Sequence, residues 1–254
     1  MEYFVKKGSI VRDIWGKSDT ILFIFAGASA EFALNNAVDW LFYTGRLPKD
    51  PLGRLFSTVS YARKIVFSSK EDAEKAIENI NCIHNSVEKN RGRNIPDWAF
   101  RDVLFMLIDY SIRSYEILER KLTLSEKQEV FEVFSKVGEK MHLKDLPIGF
   151  SQFESMRQNH LEQHLSFGEF SRELYKQYRS NLGFLRYRLL IETQVLICPK
   201  KVRKTLNFRS FSPLFLLIFF YKISREINLD WLLKLMFLPS QYKEQIKEMD
   251  HAPA

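Results

Sequence analysis

Asp50–Phe67 reads DPLGRLFSTVSYARKIVF, and Lys70–Val87 follows as KEDAEKAIENINCIHNSV. Asp50-Pro51 is a helix start: an acidic N-cap, then proline at the first helical position, where its missing N–H costs nothing. Beyond it Leu52, Leu55, Phe56, Val59, Ala62 and Val66 recur at helical spacing. Ser68 and Ser69 open a second helix, with Glu71 or Asp72 three residues on to complete a capping box. Along it Ile77, Ile80, His84 and Val87 form one stripe, and Asn90–Asn94, with Gly92, ends it.

The same periodicity extends in both directions. Upstream, Thr20–Leu34 predicts a buried helix. Downstream, Asp97–Leu122 predicts a long, mostly buried one, and Ser125 caps a helix running through Gly138. Leu146-Pro147 marks a break and Ser151–Glu154 a new start. Phe167–Tyr178 and Phe184–Leu196 are two further stretches, the second ending at Cys198-Pro199. Leu214–Ile227 and Leu229–Phe237 form a last pair stopping at Leu238-Pro239, and Gln241–Met249 is a short final helix. With only 10 Gly and 8 Pro in 254 residues, the turns needed by a sandwich or barrel of short strands are missing. No Gly/Ser linker, repeat or low-complexity tract divides the chain. The expectation is one all-α domain over residues 1–254, of about eight to ten helices, with a tail from residue 240.

The formal charge of +7 is unevenly placed. Residues 170–254 hold 15 Lys and Arg against 7 Asp and Glu, whereas residues 1–169 are nearly balanced. The excess is densest in Pro199–Arg209 (PKKVRKTLNFR), just before the apolar run Pro213–Tyr221 (PLFLLIFFY). Cations for anionic headgroups beside apolar side chains for the acyl boundary are what a peripheral membrane contact through residues 199–221 needs. A solvated basic loop followed by a core helix is the plainer expectation. No helix-turn-helix, zinc-finger or RNA-binding pattern accompanies the charge, so no nucleic-acid partner is expected. Met1–Lys17 lacks the apolar core of a signal peptide, and Thr20–Leu34 is shorter than the roughly 20 residues needed to span a bilayer. Cys82 and Cys198 make neither a disulfide framework nor a cysteine zinc site. A cytoplasmic location, or one at a membrane periphery, is expected. Oligomeric state leaves no signal in the sequence.

Few residues suggest chemistry. Serine-hydrolase and phosphate-loop motifs are missing. His160 and His164, four apart, share a helix face and suit a two-histidine metal site. The HExxH arrangement is absent and no third ligand is evident, so a surface pair on an amphipathic helix is the plainer expectation. His84 lies in an apolar stripe, where a neutral imidazole must either hydrogen-bond a neighbour or ligate iron. Arg54 and Thr58 lie four apart near the start of their helix, and an Arg there can hold a propionate or pair with an acid.

Together these stretches resemble an oxygenase family, the one containing the endoplasmic-reticulum-bound oxygenase of mycophenolic acid synthesis and the rubber-cleaving latex clearing protein. Asp50–Phe67 is similar to its D-P-x-x-R-x-x-x-T signature, and Lys70–Val87 to its next helix, whose end carries a His followed by two residues and Val. Asp102–Leu118 resembles its long apolar helix ending in R-x-Y-E, and Leu189–Arg203 its L…P-x-x-x-R element. The resemblance runs from Asp19 to Pro239. It implies a globin-like all-α domain that carries haem b and uses O₂ on an apolar, isoprenoid- or lipid-like small molecule. On it, His84 matches the proximal iron ligand, and Arg54 and Thr58 match the Arg and Thr near the haem. Ser57 replaces a frequent lysine and Ser68 a glycine. Phe32–Asp39 (FALNNAVD) lacks the His-Pro pair, and Asp102-Val103-Leu104 stands where Trp-x-His is common. Asp39 is then the nearest acid for a distal base. Thr20–Leu34 and Asp102–Leu118 are expected to enclose the porphyrin. A non-catalytic helical binding protein is the alternative.

Overall fold

The structure is a computed structural model and describes residues 2–43 and 51–226. The Asp50 cap, the expected helices Leu229–Phe237 and Gln241–Met249, the stop at Leu238-Pro239, the tail from residue 240 and His251 lie outside the described residues. Among the described residues there are eleven helices and no strand: α1 (Ile10–Trp15), α2 (Ser18–Phe32), α3 (Val38–Tyr43), α4 (Pro51–Phe67), α5 (Lys70–Arg91), α6 (Asp97–Leu118), α7 (Leu124–Lys140), α8 (Phe150–Gln163), α9 (Glu169–Ile197), α10 (Lys200–Thr205) and α11 (Leu214–Glu226). The all-α expectation holds.

Local chemistry sets the boundaries. Ser69 caps α5 by accepting from the Asp72 backbone N–H, and Gly92 ends it in the left-handed conformation (φ 68°). The cap of α7 is Thr123 rather than the expected Ser125. Its hydroxyl accepts from Glu126 N–H while the Glu126 carboxylate accepts from Thr123 N–H. The two stretches expected at Phe167–Tyr178 and Phe184–Leu196 are arms of α9, kinked at Gly183, where φ is 71°.

The core is built around α2 and α6, the most extensively packed pair. Gly27 of α2 lets the Tyr110 ring of α6 lie directly against the backbone: a Cβ there would sit 2.3 Å from the ring. At the level of Gly27 and Tyr110 the interface of these two helices is filled. Trp15, fully buried, donates from Nε1 to Ser111 Oγ at 3.1 Å. Phe105, Phe131, Phe150 and Phe153 interlock α6, α7 and α8 through tilted and edge-to-face contacts.

The C-terminal region departs from the plainer expectation. Lys200–Thr205 is the short helix α10, not a loop. In α11, Ile218 is buried, Tyr221 donates to Asp19 Oδ2 and Lys222 to Glu119 O, so one edge is seated. Phe215, Leu216, Leu217, Phe219 and Phe220 are exposed. No described helix is long and apolar enough to cross a membrane.

Candidate functional site

The most heavily charged part of the interior lies where α2, α6 and α8 meet. The inward stripe of α8 starts apolar, with Phe150 and Phe153, and turns polar at Arg157 and His160 while staying buried. Such side chains must find partners, since an unpaired buried charge is costly. Glu31 of α2, fully buried, supplies them. Arg157 grips it with both Nη atoms, at 2.7 Å for Nη2 to Oε2. Tyr110 donates its hydroxyl to Glu31 Oε2 at 2.9 Å. Arg157 also donates to Asp109 Oδ2 from Nε and Nη2, at 3.2 and 3.1 Å, and Arg113 closes on Asp109 Oδ1 at 2.7 Å. Burial opposes ionisation of Glu31, but Arg157, with help from His160, outweighs it and holds the carboxyl at about 2.

His160 joins this network to a second one. Its Nε2 lies 3.1 Å from Glu31 Oε1, and its Nδ1 lies 2.6 Å from Asp102 Oδ2 on α6. His164, one turn on, places Nδ1 at 2.9 Å from the same oxygen and 3.0 Å from His160 Nδ1. Burial disfavours a charged His160, yet hydrogen bonds to Asp102 and Glu31 prevail and raise its proton affinity above the ordinary value. His160 is 3% exposed, so the expected surface pair is corrected: one imidazole is core, and His164 sits at the edge against the Trp98 ring, centroids 4.3 Å apart. Cys198 approaches the Tyr110 hydroxyl, and burial pushes its thiol up to about 12, far from reactive range.

The sequence-nominated residues lie elsewhere. His84 is half-buried on α5 and packs on Phe100 of α6, ring centroids 4.8 Å apart. Thr58 is half-buried on α4. Arg54 lies one turn before it on α4, and its side chain is outside the description. Asp39 of α3 accepts from Arg91 Nη2 at 2.6 Å, and that guanidinium lies 4.0 Å from the Trp40 ring. Since Arg91 is two turns beyond His84 on α5, Asp39 and His84 are brought to the same end of that helix. His160 lies instead on α8, with Glu31 and Asp102 as partners. Asp102, the third member of the buried cluster, is visible in the sequence only as an acid inside the apolar run DVLFMLIDY. Glu31, similarly, is one acid inside Thr20–Leu34.

The family profile described as "ER-bound oxygenase mpaB/B'/Rubber oxygenase, catalytic domain" matches residues 15–236. The chain belongs to this family. Comparisons with curated proteins and with solved structures find no match. The rubber-oxygenase match spans nearly the stretch that the motifs delimit, Asp19–Pro239. It places the chain among oxygenase catalytic domains, which add oxygen from O₂ to a substrate.

Proposed function

We propose that this chain is a haem b-dependent oxygenase that acts on an apolar small molecule, with His84 as the residue that would hold the haem iron. The observation that carries the reading is the register of α4 and α5. Only Ser68 and Ser69 connect these helices, which pack on each other through Ile65 against Ala73, Ala76 and Ile77. Arg54 stands about four helical turns before the end of α4 at Phe67, and His84 about four turns after the start of α5 at Lys70. At about 1.5 Å per residue both lie roughly 20 Å from the connection, at one level of the pair.

The stripe around His84 fits a flat apolar group. Ala73, Ala76 and Ile77 are fully covered near the turn, whereas Ile80, His84 and Val87 are only half-covered. Phe100 already offers one aromatic face to the imidazole. In this reading His84 holds the iron, Arg54 and Thr58 orient the haem edge, and Asp39 lies nearby as an acid clamped by Arg91. Haem, when bound, supplies the iron at which O₂ reacts. The protein's share is ligation, orientation and the exclusion of water by the aromatic surroundings.

The test is an absorption spectrum of the chain expressed with haem supply. The wild type is expected to show a Soret band, and His84→Ala to lose most of it while keeping its helical circular dichroism. A wild type with no Soret band, or a His84→Ala variant with an unchanged one, would overturn the assignment.

A second reading rests on α11. Five of its large apolar side chains are exposed, together with Phe211, and Lys200 and Lys204, a few residues upstream in the chain, are exposed as well. Exposed apolar side chains following exposed lysines in the chain suit a surface of anionic lipid, whether or not the protein is catalytic. Lys201 and Arg209 contribute less, being engaged by Glu162 and Glu192. Co-sedimentation with anionic vesicles is expected for the wild type. It should weaken in Phe215→Ser/Phe219→Ser, in Lys200→Gln/Lys204→Gln and in raised salt. A wild type that stays in the supernatant rules this contact out.

A further inference from the structure

His160 Nδ1, His164 Nδ1 and Asp102 Oδ2 form a triangle with edges of 2.6, 2.9 and 3.0 Å. The structure assigns to these three side chains a binding site for one divalent transition-metal ion, built at the junction of α6 and α8. The assignment is independent of the haem reading at His84, which lies on α5.

Four observations converge. The first is size. Metal bonds of about 2.1 Å to imidazole nitrogen and carboxylate oxygen, set at right angles, put neighbouring ligand atoms about 3.0 Å apart. The triangle therefore has nearly the edge of one face of an octahedral site.

The second is lone pairs. His160 turns Nε2 to Glu31, leaving Nδ1 to face His164 Nδ1 and Asp102 Oδ2. Three potential electron-pair donors meet at one point, and a proton or a metal ion must lie among them.

The third is charge. With both imidazoles neutral, Glu31, Asp102 and Asp109 carry three negative charges against two on Arg157 and Arg113. Both Glu31 and Asp102 are almost completely buried, so the residual charge calls for one more positive charge, either a bound cation or a second proton on His160.

The fourth is the outer shell. Histidines that ligate metals usually pass their other N–H to a carboxylate, which fixes the tautomer. Glu31 stands in that place, itself held by Arg157 and Tyr110.

The ligand set selects the ion class. Two nitrogens and one carboxylate oxygen suit Mn(II), Fe(II), Co(II) or Zn(II), whereas Mg(II) and Ca(II) prefer all-oxygen shells. Two histidines and one carboxylate on one face leave further positions open, as in non-haem iron centres. His164, with its side chain 24% exposed, is the side from which an ion and an external ligand would enter.

The competing occupant is a proton: an imidazolium at His160 between two carboxylates would balance the same charge. Cobalt separates the two, and it is not confounded by haem iron. The full chain, stripped with a chelator, is titrated with Co(II), with Zn(II) as competitor. One cobalt per chain, visible ligand-field bands bleached by zinc, and a melting temperature raised by zinc are expected. His164→Ala, at the partly exposed corner, and Asp102→Asn should each weaken binding by at least about tenfold. His84→Ala should bind cobalt like the wild type. A stripped wild type that takes up no stoichiometric cobalt overturns the assignment, and so does a folded His164→Ala variant that binds as tightly as the wild type. If Asp102→Asn fails to fold, the wild-type and His164→Ala titrations decide the question.

Discussion

Replacing Arg157 by Met is expected to cost about 3 to 5 kcal/mol of folding stability, among the largest effects any single substitution in this chain should have. The guanidinium is 5% exposed and serves two carboxylates on two other helices, Glu31 on α2 and Asp109 on α6. Its removal leaves Glu31, with no exposure of its own, facing only His160 and Tyr110. The cost is chiefly that of a stranded charge, not the net value of the pair. Glu31→Gln/Arg157→Met should therefore recover part of the loss, a coupling visible in a double-mutant cycle of urea midpoints.

The same pair sets a direction for acid stability. Glu31 has a folded value of about 2 against 4.5 for the free side chain. Its contribution is complete above pH 4.5 and fades as pH falls from there towards 2. In Arg157→Met that acid limb should flatten, because the carboxyl loses the cation that depresses it. An Arg157→Met chain within about 1 kcal/mol of the wild type, a loss small for any buried pair broken from one side, would refute this account of the core.

Gly27→Ala is the second substitution with a large expected effect. Alanine normally gains up to about 1 kcal/mol over glycine inside a helix. Here the added Cβ would lie 2.3 Å from Cδ1 and Cε1 of Tyr110. The ring cannot swing away freely: Tyr110 is fully buried and its hydroxyl is tied to Glu31. Overpacking of this kind typically costs about 1 to 3 kcal/mol, so a net loss is expected despite the better propensity. Because α2 and α6 would be forced apart at Glu31, His160 should also be displaced, and cobalt binding should fall together with stability. A Gly27→Ala chain as stable as the wild type would show that the two helices do not approach as closely as described.

The helices are legible because their signals are local. Pro51, Ser69 and Gly92 act within a turn of themselves, and the stripe Ile77–Ile80–His84–Val87 is set by helical spacing alone. Where capping groups compete, as Ser125 does with Thr123, the expected boundary falls slightly late, since both hydroxyls lie within reach of the same turn. The family motifs are legible for the same reason: they are runs of neighbouring residues.

The buried cluster is only half legible. The spacing of His160 and His164 gives two corners of the triangle, and Phe150, Phe153 and Leu161 mark the inward face of α8 that they share, but residues 150–164 hold no sign of the third corner. Asp102 and Glu31 sit on helices far upstream of His160, and each looks like an isolated acid in an apolar run. Their meaning depends on α2, α6 and α8 crossing at one point.

By itself, then, the sequence determined the all-α architecture, the caps and the family, because hydrogen bonding and side-chain periodicity within a helix act over a few residues. Tertiary packing alone decided that an acid on α2, an acid on α6 and two imidazoles on α8 share one largely buried cluster. That meeting is a matter of long-range contact and charge compensation, which no local pattern encodes.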